Sequence, residues 1–495
     1  MSGQTSDYNE IYLSGSLEKD IELFKEIFKN DIILRVKKIK SRNKVAFDCA
    51  LIYMDGMVDS EQLNDAVIKP LLVSNPIMDS ESLAEYIETQ VLFARDVKRA
   101  ENVAKMIEGI LYGEALILID NVAIGLMVDV KGWRTRGIKE PEDEKVLKGP
   151  REGFEEAALL NVAMLRRKLQ TPDFCCEMLR VGRRTGTMVF VCYLGSLADK
   201  KTTEEIKKRI KKIDIDGILD SNYIAEQIRD NKFSVFKTSG TSERPDVVAS
   251  KLLEGRIAVI VDGTPVVLTL PFLFSENFQA DEDYYLNFLV SSWGRMLRYI
   301  SFFLSLSVPG IFIALSTFHK ELLPTSLAIA VAEQRGGVPF SPFTECLILI
   351  FIFEILRESG IRMQQGLGHT LSIVGGLVVG QAAVEARIIS TPMLIVIALS
   401  GISGLMVPKL KGAVFYLRLF FVLLSAYLGL FGFISGMAVV IMFILSLSSF
   451  GTDYTVSLNK AGFQNIKDTI FRAPWPNMKT RPLFNFNKIR QGDKK

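Results

Sequence analysis

The residues with the most distinctive chemistry are polar and charged side chains that interrupt long apolar runs in the C-terminal part of the chain. Burying a charge in hydrocarbon costs free energy, so a charged residue at membrane depth usually has a partner or faces a water-filled cavity. We interpret such residues as candidates for a pore or its gate; an interhelical ion pair, or a side chain that reaches the membrane surface, is the alternative for each. Near the first interruption they are Glu333, Pro339, Glu345 and Glu354.

A second group of candidates lies between Gly366 and Ala386, a segment rich in small residues. Positions 368, 372, 376 and 380 are Gly or Ser at intervals of four, so they share one face of a helix. Such a face either admits a neighbouring helix closely or forms the narrow wall of a pore, and the sequence leaves both interpretations open. The candidates in this segment are Ser372, Gly376, Gly380, Gln381 and Glu385.

Other chemistries have little support in the sequence. Two histidines, and five cysteines without a CxxC pair, offer little to a metal site or a disulfide framework. The chain has no Walker A sequence, no dinucleotide-binding glycine motif and no nucleophile beside a base. A balance of 59 Lys and Arg against 56 Asp and Glu is not the signature of a nucleic-acid-binding protein. We expect no enzyme activity, no catalytic residue, no metal, no cofactor and no nucleic-acid partner.

The apolar runs predict an all-α, multispanning membrane bundle over residues 291–451. A helix needs about 20 apolar residues to cross a bilayer core. The short runs 322–332 and 347–356 predict a broken or re-entrant element, which is stable at membrane depth only where protein or a water-filled cavity shelters it. Counting that element as one, about five or six crossings are expected. The other predicted spans are 299–318, 366–384, 388–406, 412–431 and 433–447.

Lysines and arginines in the short loops predict the orientation of the bundle. Most of them fall on one side if the N-terminal domain and the basic tail, residues 452–495, are both cytoplasmic. The N-terminus lacks the basic start and apolar core of a secretory signal. We therefore expect an inner-membrane, multi-pass protein with cytoplasmic termini.

The residues before the bundle predict an α/β soluble domain of two similar lobes, 1–155 with its trailing loop and 156–290. In each lobe a strand, strand, helix pattern is followed by a helix and a hairpin. The hairpin turns are Asp120-Asn121 and Asp262-Gly263, whose residues tolerate positive φ. Chance similarity between two α/β units is the alternative to a duplication.

The segment between the lobes is a candidate docking surface. Gly149 and Pro150 break the chain, and a helix is predicted to open at residues 151–154, with Glu155 and Glu156 in its first turn and cations in its last. A capped surface helix is the simpler interpretation; contact with a neighbouring subunit is the functional one. The docking candidates are Arg151, Glu152, Phe154, Arg166 and Arg167.

Several blocks of the sequence resemble the A subunits of GerA-type spore germination receptors. They occur in order from about residue 30 to residue 482, so the resemblance covers nearly the whole chain. The blocks are EPEDEKVLKGPREGF from Glu140, LLEGRIAVIVDGTPVVLTLPFLF from Leu252, DEDYY from Asp281, EQRGGVPFSPFTE from Glu333, GQAAVEA from Gly380 and APWPNMKTRP from Ala473.

The resemblance implies a function that the spacing of residues does not. It implies a homo-oligomeric ring in the spore inner membrane of a Gram-positive endospore former, with monovalent cations as the permeant species. It also implies two partners, a transporter-like B subunit that carries the nutrient site and a lipoprotein C subunit, besides membrane lipid. The chain is then expected to be the A subunit of a nutrient germinant receptor and part of a ligand-gated ion-release channel that triggers germination.

Two other functions stay open at this point. The resemblance is also compatible with an accessory subunit associated with the channel that releases dipicolinic acid. A secondary transporter would likewise place broken helices and buried carboxylates near the midplane. Such a transporter normally shows repeated membrane halves, whereas the only repeat detected here is in the N-terminal domain.

Overall fold

The computed structural model describes residues 8–40, 47–74, 80–132, 141, 144, 148–362, 380–455, 468–478 and 481. Within this part of the chain, the N-terminal domain contains two five-stranded sheets and their helices, and the C-terminal part is helical. The α/β class predicted for the N-terminal domain is confirmed.

The first sheet is antiparallel throughout, with strand order β1-β2-β4-β5-β3. Its inner strand β4 has the sequence ALILI and is buried along its whole length, as expected for a strand covered on both faces. The edge strand β1 has the sequence LRVKKIK, and its four basic residues are exposed. The strands are β1 (Leu34–Lys40), β2 (Asp48–Met54), β3 (Val97–Ala100), β4 (Ala115–Ile119) and β5 (Gly125–Val128).

The second sheet repeats this arrangement with order β6-β7-β9-β10-β8, again antiparallel. Renumbered from its own first strand, this is the order of the first sheet. The inner strand β9 has the sequence IAVIV and is also fully buried. The strands are β6 (Phe174–Val181), β7 (Thr187–Leu194), β8 (Gly240–Ser242), β9 (Ile257–Val261) and β10 (Val267–Leu270).

Both predicted hairpins lie where the sequence places them, β4 to β5 and β9 to β10. Their turns contain Asn121 with φ 61° and Gly263 with φ 95°, the conformation for which Asn and Gly are suited. The strand, strand, helix pattern of each half is also present. That the two units arose by duplication stays a prediction.

Side-chain caps fix where several helices of this domain begin. The carboxylate of Asp59 accepts from the N–H groups of Glu61 and Gln62, and Asn102 and Asp199 cap the helices that follow them in the same way. The helices are α1 (Leu17–Ile27), α2 (residues 60–73), α3 (residues 80–91), α4 (Val103–Leu111), α5 (Ala158–Lys168), α6 (Lys200–Lys211), α7 (Ser221–Ile228) and α8 (Pro245–Leu253).

Helix α5 differs from the prediction in start and in surroundings. It begins at Ala158, and residues 151–154 are not helical, because the backbone there bonds elsewhere: Phe154 N–H donates to the carbonyl of Glu243 at 2.7 Å. The interpretation as a surface helix is wrong, since Val162 and Leu165 are fully buried in a core that contains residues of both sheets. The cations do occupy its last turn, as predicted.

The C-terminal part contains helices α9 (Phe288–Thr317), α10 (Thr325–Arg335), α11 (Pro342–Arg362), α12 (Thr391–Leu405) and α13 (Lys411–Ser446), with residues 380–385 also helical. A short antiparallel strand pair, Ser448–Ser449 with Thr452–Asp453, follows α13. Among the described residues, two stretches are long and apolar enough to cross a membrane, Phe288–Thr317 and Pro408–Ser446. Helix α12 is apolar but shorter. These features suggest membrane association, and the number of crossings stays a prediction.

Helix α13 is interrupted at Gly429, whose φ of 61° and ψ of −143° are not helical. The rings of Phe421 and Phe433 lie 5.3 Å apart, although a continuous helix would separate them by about 18 Å along its axis. The chain therefore reverses here and forms two antiparallel helices. This break corresponds to the boundary between the predicted spans 412–431 and 433–447.

Candidate functional site

The described chain buries several large cations, and they mark the places where separate segments meet. Five arginines are among its largest fully buried side chains. A buried guanidinium needs several hydrogen-bond acceptors, because leaving its donors unpaired costs free energy. These residues are Arg166, Arg244, Arg256, Arg295 and Arg418.

The first meeting place is the start of α9, where it leaves the N-terminal domain. Asn287 caps this helix, and the 3-10 turn Asp281–Tyr284 precedes it. Arg295 and Arg298 are three residues apart on α9, so both reach back to Asp283 in that turn. The Asp283 carboxylate accepts from Arg295 Nε at 2.8 Å and from Arg298 Nη2 at 2.5 Å.

The C-terminal segment 468–478 closes the same cluster from the other side. Arg295 Nη1 donates to the carboxylate of Asp468 at 2.8 Å, and the Tyr284 hydroxyl donates to it at 3.0 Å. Arg472 Nη1 donates to the carbonyl of Leu286 at 2.8 Å. We name this set, Asp283, Arg295, Arg298 and Asp468, the junction cluster. It joins α9 and the C-terminal segment to the linker, which we define as residues 271–287 between β10 and α9.

A second ion network supports the junction from the edge of the second sheet. The carboxylate of Glu276 accepts from Arg256 Nη1 at 2.5 Å and from Lys251 Nζ at 2.9 Å. Burial alone would raise the pKa of Glu276, but the charges of Arg256 and Lys251 outweigh it and lower that pKa to about 2. Glu276 is thus a stable anion that fixes the linker after β10.

Aromatic side chains fill the space between these networks and the helices. Phe278 stacks on Tyr299 of α9 with ring centroids 3.9 Å apart, and Phe274 meets Tyr454 edge to face at 5.8 Å. The junction is therefore packed as well as charged. A displacement of the linker is expected to move α9 with it.

Within the helices, Arg418 connects three segments, and no carboxylate of the described residues is in hydrogen-bond contact with it. Its Nε donates to the carbonyl of Ser305 at 3.1 Å, and its Nη2 donates to that of Ser400 at 3.3 Å. The Ser400 hydroxyl also donates to the Ser305 carbonyl, at 2.8 Å. Arg418 therefore holds α9, α12 and α13 together.

Of the candidate gate residues that the structure describes, Glu345 is the most deeply buried, with no exposed surface. Its carboxylate accepts from Ser390 N–H at 3.0 Å and from the Ser390 hydroxyl at 2.6 Å, and it lies 3.3 Å from Arg335 Nη2. Glu345 thus joins α10, α11 and the start of α12. For this residue the geometry corresponds to the ion-pair alternative.

The other candidates near the break have different surroundings. Glu354 pairs with Arg357 on the same helix. Glu333 and Pro339 are exposed, Glu333 in the last turn of α10 and Pro339 in the connection to α11. Exposed residues at this break are available for contact with other subunits or with water.

The candidates in the glycine-rich segment are described only in part, because Ser372 and Gly376 lie outside the described residues. A Cβ on Gly380 would meet the Leu394 side chain at 3.6 Å, so this glycine faces α12. Gln381 and Glu385 are exposed on the last helical turns. On this helix, therefore, Gly380 is a packing position, whereas Gln381 and Glu385 are exposed polar positions.

The docking candidates do not form one surface. Arg166 is fully buried; it pairs with Asp31 of the first lobe and donates to the carbonyls of Thr171 and Phe174. Phe154 is also buried. Arg167 pairs with Glu152, and Arg151 is exposed. Arg166 therefore joins α5 to the segment before β1 within this chain, and a docking role for the more exposed residues stays a prediction.

The sequence analysis missed the junction cluster. Part of it could have been found from the sequence, since the acidic block DEDYY precedes the two arginines at the start of α9. The contribution of Asp468 had no such signal, because more than a hundred residues separate it from Arg295. Only the folded chain brings these charges together.

The family model described as Bacillus/Clostridium GerA spore germination protein matches residues 21–484. The chain belongs to the GerA family. Spore germination protein KA of Bacillus subtilis is 39% identical over 488 residues, which cover 97% of this chain and 89% of that protein. Spore germination protein B1 of the same organism is 35% identical over 438 residues, covering 88% and 90%. Spore germination protein GerLA of Bacillus cereus is 30% identical over 438 residues, covering 88% and 89%.

A solved structure also matches this GerA-family chain. It is the crystal structure of the N-terminal domain of the A subunit of the Bacillus megaterium spore germinant receptor GerK3, with a TM-score of 0.42 and 32% identity over 53% of this chain and 98% of that chain. The family match and the named relatives support a role in spore germination.

Proposed function

We propose that this chain is the A subunit of a nutrient germinant receptor and that it oligomerises into a ring that conducts ions when the receptor is stimulated. The observation that carries the proposal is similarity to spore germination proteins over nearly the whole chain, membrane part included. We further propose that the chain is not an enzyme and that it works with a transporter-like B subunit and a lipoprotein C subunit.

The proposed location is the spore inner membrane, with the N-terminal domain and the C-terminal tail both cytoplasmic. The contact between Asp468 and Arg295 supports a common side, because it holds the start of the tail against the linker of the N-terminal domain. Both ends of α13 support it too, since Lys409 Nζ bonds the Gln279 carbonyl and the Tyr454 carbonyl accepts from Phe274 N–H. An even number of crossings follows.

The proposed ion path is formed where several copies present polar residues of the glycine-rich helix to a common axis. Gln381 and Glu385 are exposed on one chain, so they are available for such a ring. A carboxylate ring at an entrance favours cations. Glu333 and Pro339, also exposed, would border the same entrance, whereas Gly380 packs against α12 and is expected to support the helix.

The junction cluster is the proposed route by which the N-terminal domain acts on the path. It is a buried charge network that connects the linker, α9 and the tail. α9 in turn is held to α12 and α13 through Ser305, Ser400 and Arg418. A movement of the N-terminal domain relative to the membrane is thus expected to reach the helices.

The test is deletion of the gene, followed by measurement of K⁺ release and dipicolinic acid release when spores receive single nutrients. The receptor proposal predicts that both responses to at least one nutrient are lost while responses to other nutrients persist. Normal K⁺ release with delayed dipicolinic acid release to every nutrient would instead support the accessory-subunit alternative. Unchanged release of both would contradict a receptor role.

A further inference from the structure

A cavity of about 150 Å³ lies beside the junction cluster, at a point where several parts of the chain meet, including the segment that carries Glu144. Strand β8 and the start of α8 form one wall, the linker forms the second, the loop before α13 contributes Lys409, and the C-terminal segment contributes Trp475. Because water occupies about 30 Å³ per molecule in the liquid, this volume suits a compound of roughly five non-hydrogen atoms. None of the candidate residues predicted from the sequence lines it.

The lining carries more negative than positive charge. Its carboxylates are Glu144, Asp246, Glu254, Glu276 and Asp281, and its cations are Lys251 and Lys409. The ammonium group of Lys251 is already bound to Glu276, at 2.9 Å. Among the described residues, no group of His, Cys, Asp and Glu could hold a metal ion, so a metal is not the expected occupant.

Asp246 is the group that most directly indicates a ligand. Its side chain is 9% exposed, and its Oδ2 accepts from Arg244 Nη2 at 2.8 Å and from the Tyr285 hydroxyl. Its Oδ1 is buried and has no hydrogen-bond partner within the described part of the chain. A buried carboxylate oxygen without a donor costs free energy that a bound cationic donor would recover.

Aromatic rings line the same cavity. Phe272, Tyr284, Tyr285 and Trp475 all contribute to it. The faces of such rings attract organic cations, most strongly where water is excluded. Carboxylates combined with aromatic rings favour an ammonium group on a small apolar body over an anion.

Glu144 makes the cavity sensitive to protons. Its carboxylate accepts from the Ser242 hydroxyl at 2.7 Å and from Glu243 N–H at 3.0 Å, while Arg244 donates to its backbone carbonyl. Burial and the nearby charge of Asp281 raise the pKa of Glu144 to about 7, with Lys409 opposing. A cation placed beside it would favour the ionised form.

We propose that this cavity is a binding site for a compact organic ammonium ion, with Asp246 Oδ1 as its hydrogen-bond acceptor and Glu144 as a second anionic contact. The site lies next to Tyr284, which bonds Asp468 of the junction cluster. An occupant would therefore stabilise the contact between the N-terminal domain and the C-terminal segment. This inference does not depend on ion conduction by the chain.

The test uses the full-length protein in detergent, since the site needs Lys409 and Trp475. Butylammonium is the probe, 1-butanol and butyrate at equal concentration and ionic strength are the matched compounds, and the fluorescence of Trp475 is the signal, with W475F as the blank. The expected result is saturable binding of butylammonium alone, weakened at least about tenfold in D246N because a charge-assisted hydrogen bond is lost. D214N, which alters an exposed carboxylate paired with Arg183, is the control and should bind normally.

A second variant tests the site if D246N is poorly folded. Since ionised Glu144 favours a cation, affinity should rise about tenfold from pH 6 to pH 8 in the native protein and stay level in E144Q. Saturable binding by 1-butanol or butyrate, an unchanged affinity in folded D246N, or an affinity independent of pH in the native protein would overturn the proposal.

Discussion

Replacing Asp283 with Asn should weaken the attachment of α9 more than any other conservative change at the junction. The carboxylate is 1% exposed and receives hydrogen bonds from two arginines, Arg295 Nε at 2.8 Å and Arg298 Nη2 at 2.5 Å. Removing the anion leaves two cations facing a neutral amide, and breaking a buried ion pair costs about 3–5 kcal/mol. At about 2–4 °C per kcal/mol for a domain of this size, the melting temperature should fall by roughly 10 °C.

The assay is thermal unfolding of the purified full-length protein in detergent, followed by the fluorescence of an engineered label on α9. D214N is the matched control, because Asp214 and Arg183 form a pair in which both side chains are more than half exposed, and water and salt screen such a pair so that it contributes little to stability. In spores, D283N should also reduce nutrient-stimulated K⁺ release. If D283N melts within a degree or two of D214N and supports normal release, the junction cluster is not what holds α9 to the N-terminal domain.

Three further variants test other contacts. G429A should lower stability by about 1–3 kcal/mol, because Gly429 has a φ of 61° and a Cβ there would lie 3.0 Å from His319 Nε2. G412A is the control and should not lower stability, because a Cβ on Gly412 would meet nothing within 4 Å. Equal melting temperatures of the two variants would contradict the chain reversal at Gly429. E345Q should destabilise the protein by about 1–3 kcal/mol in thermal melts, because the amide replaces a buried anion, while E333Q on an exposed residue should have no effect. Because the pKa of Glu276 is lowered to about 2, its ionised form contributes stability above pH 4.5 that is lost as the pH falls toward 2. E276Q should therefore remove roughly 3 kcal/mol from the pH dependence of the unfolding free energy. Parallel curves of stability against pH for the two proteins would contradict this role of Glu276.

The elements of the N-terminal domain could be predicted because their signals are local. Apolar runs such as IAVIV, and turn residues such as Asn121 and Gly263, act over a few positions, and the structure places strands and hairpins there. The same is true of the break near Gly429, where two apolar runs are long enough for two helices.

The contacts between distant segments could not be predicted in this way. Carboxylates in the first turn and cations in the last predicted a surface helix for α5, yet Arg166 is buried against Asp31, because the two sheets close around it. Glu155, assigned to the first turn of that helix, instead donates its N–H to the Asn161 side chain at 2.8 Å. The placement of charges along a helix indicates which end is N-terminal and which is C-terminal. It does not indicate whether the helix is buried, because burial depends on the segments that pack against it.

The central proposal, a cation path formed by several copies of this chain, is tested most directly by comparing ion release with receptor abundance in spores carrying E385Q, Q381L or G380L. The path predicts that E385Q and Q381L reduce nutrient-stimulated release of K⁺ while the receptor stays at native abundance, because these side chains are exposed on the chain. G380L should lower receptor abundance instead, because Gly380 packs against Leu394. Native rates of K⁺ release in the E385Q, Q381L double variant at native abundance would remove this helix from the ion path and contradict the proposal.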